Sequence, residues 1–316
     1  MTGGTLPRYA YLGPAGTFTE AALRQVVGPD EAVYLPQVDV VSAIEAVRSG
    51  AADRAVVAIE NSVEGGVTAT LDTLATGSPL VLLQEVLVPV GFTVAGRAGT
   101  SLADVRRISA HPHAWAQCRR WLNQNLPHVV HVPATSNTAP AALLAGTEPL
   151  LGFDAALVPP PAVDHYGLVA LAEGVADNAR AVTRFVVVGK PGTVPPPTGA
   201  DKTTLVVHLP SNQAGALLEM LEQFATRGVN LSRIESRPLG DAMGRYSFSI
   251  DAEGHIAEER MAEALMGLHR VCPHVRFLGS YPRVDAPLSP LRPGTFDPDF
   301  VAAREWVTAL RGGRTH

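Results

Sequence analysis

Five stretches of this chain concentrate side chains that can bind or donate. AIENSVEGGV (58–67) gathers Glu60, Asn61, Ser62 and two glycines where an apolar strand run ends. Strand ends in α/β sheets are where ligands sit. Asn61 and Ser62 supply neutral donors, and Gly65 and Gly66 let backbone approach a ligand closely. The same residues also make a polar loop with no ligand. DNARAVTRFVVVG (177–189) enters a β-branched run through Asn178, Thr183 and Arg184, which offer nothing apolar. A polar start to a buried strand is the plain alternative. GPAGTFTEAA (13–22) places Thr17 and Glu20 at capping-box spacing, so a helix starts there with free backbone N–H groups that suit an anion such as a carboxylate. A well-capped helix without a ligand reads the same way, and no Gly-Lys-Ser/Thr follows to make a phosphate loop. HPHAWAQC (111–118) suggests zinc through His111, His113 and Cys118, but no second pair is spaced to complete a site. Pro112 suits a first helical turn, and Gln117 lies one turn beyond His113 on its face. TSNTAPAALLAG (135–146) is another polar helix start, with Ser136, Asn137 and Thr138. At 111–118 a helix start presenting polar groups is favoured over a metal site, and the four polar strand-to-helix turns point to one shared anion-binding cleft.

The elements that must position these groups alternate. Strands are expected at 9–13, 54–60, near Ile108 and at 129–132, with helices at 18–27, 113–125 and 138–145 and helical spacing at Val40, Val41, Ile44 and Val47. Such alternation predicts an α/β body with a mostly parallel sheet. The long runs at 80–95 and 182–188 are expected to pass between two lobes and so form the cleft. KPGTVPPPTGAD (190–201) is too rich in Pro and Gly for a regular element and marks a linker. Beyond it, strands at 203–209, 229–236, 245–251 and 275–282 interleave with two helices. One carries Leu217, Leu218, Leu221, Phe224 and Ala225, the other Met261, Leu265 and Leu268. The order βαββαβ is ferredoxin-like and reads as a regulatory or binding module. A short helical pattern at 299–310 ends the chain. The expected division is therefore 1–189, a linker 190–201, a second domain 202–282 and a tail 283–316.

Composition agrees with an ordinary globular protein. The 316 residues are 46% hydrophobic and 17% charged, with 25 Lys plus Arg against 30 Asp plus Glu for a net charge of −5. No basic patch suggests nucleic acid. The two cysteines are far apart and suit a reducing compartment. No apolar run reaches the ~18 residues of a membrane span, and the N-terminus lacks a signal-peptide pattern. A cytoplasmic location is expected, with no membrane partner.

Taken in order, GPAGTFTEAA, IENSVEGGV, HPHAWAQC, the Ser-Asn-Thr-Ala helix start and VTRFVVVG resemble the prephenate dehydratase family. NQAGALLEML (212–221) and SRIESRP (232–238) resemble the two signatures of that family's phenylalanine-sensing ACT domain. The resemblance covers about 9–282. It implies a two-lobed, periplasmic-binding-protein-like α/β catalytic body joined to a ferredoxin-like ACT domain. It also implies a decarboxylating dehydration of prephenate to phenylpyruvate, without a cofactor or metal. Two positions depart from the family pattern: Ala110 stands where a serine usually precedes His-Pro, and His113 replaces a glutamine.

Carried over, the resemblance makes Thr183, Asn61 and Gln117 the catalytic residues, with Thr183 donating toward the departing ring hydroxyl. Arg184, Phe185, Ser62, Thr17, Ser136 and Asn137 are expected to bind substrate. Neighbouring strand residues point to opposite faces. Arg184 therefore serves the substrate only if the strand bends or its side chain reaches round; otherwise it is a structural ion-pair residue. Asn212, Gly215, Ala216, Leu217, Leu218, Glu235, Ser236 and Arg237 are expected to hold phenylalanine between subunits. One of Leu217 and Leu218 is expected to face the ACT core, and a homodimer or homotetramer through the ACT domains follows. Two rival readings stand beside this one, an arogenate dehydratase and a non-catalytic amino-acid-binding regulator.

Overall fold

A computed structural model of the chain describes residues 5–63, 65–146, 152–209, 213–239, 246–284 and 290–314. Strand β1 (Arg8–Leu12) buries its three central residues and leads into helix α1 (Phe18–Val26). Strand β2 (Val33–Gln37) follows, then helix α2 (Val40–Ser49), which Asp39 caps by accepting the Ser42 N–H at 2.6 Å. Strand β3 (Arg54–Asn61) and β2 both pair with β1 in parallel. The short strand β4 (Gly65–Gly66) turns back on the end of β3, helix α3 (Thr68–Ala75) follows, and strand β5 (Val81–Pro89) completes this part of the chain.

A second sheet begins with β6 (Thr93–Gly96) and β7 (Arg107–Ala110), followed by helices α4 (Pro112–Gln117) and α5 (Arg119–Asn125). Strand β8 (Val130–Pro133), helix α6 (Ala139–Ala145), strand β9 (Ala155–Val158), helix α7 (Pro160–His165) and strand β10 (Val169–Ala172) complete it. Its order is β10-β6-β9-β7-β8. This sheet is mixed rather than mostly parallel, because β6 runs antiparallel to both β9 and β10. Its core packs Phe92, Val94, Ile108 and Leu157 against Ala114, Cys118 and Leu122 of the helices. The single helix expected at 113–125 is two, broken at Cys118. The Asp177 carboxylate accepts the Arg120 and Trp121 N–H groups (2.8 and 3.0 Å), so it caps a new helix there.

Strand β11 (Val182–Gly189) returns to the first sheet, whose order is β2-β1-β3-β11-β5. The chain thus crosses between sheets twice, at 90–92 and 173–181. The crossings touch where the Val90 N–H donates to the Ala181 carbonyl at 2.8 Å.

The remaining chain forms β12 (Asp201–His208), α8 (Ala216–Ala225), β13 (Leu231–Pro238), β14 (Tyr246–Glu253), α9 (Glu259–Val271) and β15 (His274–Pro282). The sheet order β13-β14-β12-β15 is antiparallel throughout, the ferredoxin-like arrangement. Helices α8 and α9 cover one face through Met220, Phe224, Met261, Ala264 and Leu268. The buried side of α8 is Ala216, Met220 and Phe224, spaced by four. Leu217 and Leu218 are therefore 41% and 60% exposed, and the expectation that one faces the core is corrected. Helix α10 (Asp297–Arg311) closes the chain.

By packing, the chain divides into two units. The first holds the residues up to Thr70 with Val86–Val186; the second holds Leu71–Glu85 with Val187 onward. Within the second unit, the sheet face away from α8 and α9 carries Lys202, Thr204, Asp251 and Tyr281, all at most 2% exposed. Among the described residues, no helix is long and apolar enough to cross a membrane.

Candidate active site

The end of β3 and the start of β11 are tied to each other twice through Ser62. Its N–H donates to the Val182 carbonyl and its hydroxyl oxygen accepts the Val182 N–H, both at 2.9 Å. That clamp sets the residues on either side of it. Asn61 Nδ2 donates to the Thr183 hydroxyl oxygen at 2.8 Å, across 122 residues of sequence. The Asn61 amide cannot be turned over, because its Oδ1 already accepts the Val63 N–H at 2.8 Å. Thr183 is 8% exposed. With its oxygen receiving Asn61, the Thr183 proton is left to donate, and polarisation through the pair makes it a better donor.

Gln117 ends α4, and its carbonyl accepts the Asp177 N–H at 2.8 Å, six residues before Thr183. A pocket of about 450 Å³ opens beside this contact. Pro112, His113, Ala116 and Gln117 line one side, and Val63, Ala176, Asp177 and Asn178 the other. His111 begins the helix with Nδ1 accepting the His113 N–H at 3.3 Å. Burial pushes the Cys118 thiol up to about 12, consistent with its place in the apolar core of the second sheet. Among the described residues, no group of three or more His, Cys, Asp or Glu is arranged to hold a metal ion. Ala110 is fully buried, and its carbonyl accepts the Ala134 N–H at 2.9 Å.

Arg184 lies beside Thr183 but is 6% exposed and directs Nη1 to Glu60 Oε2 at 3.4 Å. Phe185, on the Thr183 face, is 2% exposed and packs beneath rather than at the surface. The Thr17 hydroxyl donates to the Leu12 carbonyl at 3.3 Å and accepts the Glu20 N–H at 3.2 Å. The Glu20 carboxylate reaches back to the Gly16 N–H at 2.5 Å and pairs with Arg24, so the cap is complete within itself. Ser136 accepts the Ala139 N–H at 3.0 Å at the start of α6. Beside it, Asn137 Oδ1 and Thr138 Oγ1 are buried without a hydrogen-bond partner among the described residues. Asp177 escaped notice in the sequence, although it opens the polar run that drew attention to Thr183.

In the second unit, Gly215 begins α8 at φ +91°, with open space around the position a Cβ would take. Glu235 approaches Arg233 at 3.8 Å, while Ser236 is exposed on the opposite face of β13. The guanidinium of Arg237 donates to both oxygens of Asp72, at 3.1 and 3.0 Å. Asn212 lies outside the described residues.

Comparison with known proteins gives one family. The model described as prephenate dehydratase matches residues 9–193. A prephenate dehydratase from Amycolatopsis methanolica is 45% identical over 309 residues, covering 98% of this chain and 99% of the relative. The crystal structure of a prephenate dehydratase from Arthrobacter aurescens in complex with L-Phe superposes with a TM-score of 0.91 at 52% identity, covering 96% of this chain and 99% of that one. A structure described as a quorum quenching acylase aligns less closely, with a TM-score of 0.75 and 31% identity over 87% of this chain and 97% of its own.

Proposed function

The chain belongs to the prephenate dehydratase family, and we propose that Thr183, oriented by Asn61, is the donor its reaction requires. The protein is a carbon–oxygen lyase that converts prephenate to phenylpyruvate. The bond from the ring to one carboxylate breaks, and its electron pair enters the ring as CO2 leaves. The ring C–O bond breaks with it, and the hydroxyl takes up a proton and departs as water. Aromatisation supplies the driving force, so the protein's task is to stabilise the departing oxygen. A donor acting there works chiefly in the transition state, where binding energy accelerates a reaction. The single observation that carries this reading is the 2.8 Å bond from Asn61 to the Thr183 oxygen, which leaves the hydroxyl proton available. Gln117, lining the adjoining pocket, orients the substrate, and Arg184 acts through its pairing with Glu60.

The second unit is read as the regulatory domain. Exposed Leu217 and Leu218 and the open backbone at Gly215 suit the side chain and the charged end of phenylalanine. Glu235 and Ser236 would come from a second copy of the chain, which makes the active form a homodimer or homotetramer. The test is turnover by purified protein of prephenate and of arogenate, with and without chelator. Prephenate consumed in chelator, with phenylpyruvate and CO2 released one for one, supports the reading. Preference for arogenate or absence of turnover would each replace it with one of the two rivals, and loss of activity on chelation with recovery in zinc would replace the metal-free chemistry with a metal site at His111 and His113.

A further inference from the structure

Residues Leu71–Glu85 pack in the second unit, although they lie in sequence between two parts of the first. Four contacts seat them there. Lys202 Nζ donates to both oxygens of Glu85 at 2.9 and 3.3 Å, and the Val284 N–H adds a third bond at 2.9 Å. Gly279 comes so close to Leu82 that a Cβ there would overlap the Leu82 carbonyl oxygen. Arg276 donates to the carbonyls of Leu74, Thr76 and Gly77 at 3.0–3.3 Å, in and just after the last turn of α3. The fourth contact is the fork of Arg237 on Asp72.

The other end of α3 belongs to the first unit. Thr70 is fully buried, and its hydroxyl donates to the Ala58 carbonyl of β3 at 2.5 Å. Only residues 62–67 separate Thr68, the first residue of the helix, from Asn61. One eight-residue helix therefore has its start fastened beside the catalytic strand and Asp72 held by the strand that carries Glu235, Ser236 and Arg237.

We propose that the Asp72–Arg237 pair transmits the effector's signal through α3 to the Asn61–Thr183 pair, so that Arg237 couples the two sites instead of binding the effector. The inference rests on the regulatory reading above. A ligand shifts a conformational equilibrium only through contacts that differ between the two arrangements. The Lys202–Glu85 pair, with both side chains at most 3% exposed, is too costly to open and keeps the segment seated in either arrangement. The Asp72–Arg237 pair is different. Its side chains are 53% and 26% exposed, so each group can trade its partner for water at small cost. It can close in one arrangement and open in the other. A change at the end of β13 then bears on Asp72, and the helix carries it through Thr70 to β3, the strand that ends in Asn61.

The experiment uses full-length Asp72→Asn, Arg237→Gln, the double variant and Asp72→Glu. Phenylalanine binding is measured by calorimetry and inhibition by prephenate turnover. Asp72→Asn should turn over normally without effector and bind phenylalanine within about threefold of the parent, while inhibition at saturation weakens by about fivefold or more, the lower range of allosteric coupling. The double variant should be no worse than either single one, because one contact has been removed. Asp72→Glu should restore part of the inhibition. Undiminished inhibition in Asp72→Asn, or binding lost in step with inhibition, would overturn the proposal. A parent enzyme that consumes prephenate but ignores phenylalanine would remove the regulatory reading and this inference with it, leaving the catalytic one intact.

Discussion

Removing the Thr183 hydroxyl while keeping its shape separates the roles of the two residues at the centre of the site. In Thr183→Val the donor to the departing oxygen is lost, and a preorganised donor of this kind is worth about 10²–10³ in kcat, or about 2.7–4 kcal/mol. KM should stay within about threefold, since the interaction belongs to the transition state. Asn61→Ala keeps the hydroxyl but removes the 2.8 Å bond that orients it. A loss of about 10–100-fold is expected, about 1.4–2.7 kcal/mol. Once the hydroxyl is gone, Asn61 has nothing left to orient, so the double variant should be about as slow as Thr183→Val alone. Both single variants should also lose stability. Thr183→Val removes the acceptor of one Asn61 N–H, worth about 0.5–1.5 kcal/mol. Removing Asn61 also takes away the acceptor of the Val63 N–H, so the double variant should be no more stable than Thr183→Val. The assay is phenylpyruvate formation alongside urea denaturation for all four proteins. Losses in kcat that multiply in the double variant, or Thr183→Val turning over at more than about a tenth of the parental rate, would refute the argument.

Two further outcomes can be measured by denaturation and hydrogen exchange. Lys202→Met leaves the Glu85 carboxylate buried without its cation and should cost about 3–5 kcal/mol. Adding Glu85→Gln should recover much of this, since the Val284 N–H still finds an acceptor, and an unchanged urea midpoint in the single variant would contradict the packing. The Arg304 guanidinium holds the Glu259 carboxyl below its ordinary value. The folded pKa is thus the lower one, so this contribution is complete above the ordinary glutamate value of about 4.3 and fades as pH falls through the depressed one. Protection factors of α10 amides, each taken against the intrinsic exchange rate at that pH, should fall on acidification through that window, and Arg304→Gln should remove the change.

Local chemistry was legible wherever one short stretch contained its own reason. The T-x-x-E start of α1, the helical spacing of Val40, Ile44 and Val47 in α2 and the alternation of Tyr246, Phe248 and Ile250 in β14 each specify their element without help from elsewhere. Residue patterns alone offer Asn61 and Thr183 only as two polar strand ends, because 122 residues separate them, and it is the family resemblance that puts both in one site. Strand β2 is short, sits at a sheet edge and contains Pro36, which an edge tolerates and a central strand does not. The break at Cys118 depends on Asp177, almost 60 residues away, and no helix periodicity within 113–125 reports it. The packing of 71–85 was hidden for a related reason. A continuous apolar run such as PLVLLQEV has no period to say which neighbour covers it. Its one signal is Glu85, an acid that such a run can bury only opposite a cation.

The Pro-rich stretch at 190–201 looks like a natural place for recombination to attach or exchange a regulatory module. The seat of Leu71–Glu85 denies it that role. An incoming module would have to bring a lysine opposite Glu85, a glycine where β15 meets Leu82 and an arginine to close the end of α3. A crossover in the linker replaces all three at once while leaving their partners behind, and the resulting chimera would carry a buried acid and a backbone clash. The stretch Leu71–Glu85 and the chain after the linker are therefore expected to tolerate exchange only together. On the regulatory reading proposed above, a changed effector preference is more readily reached by substitution around Gly215 and β13 than by exchange of the whole module.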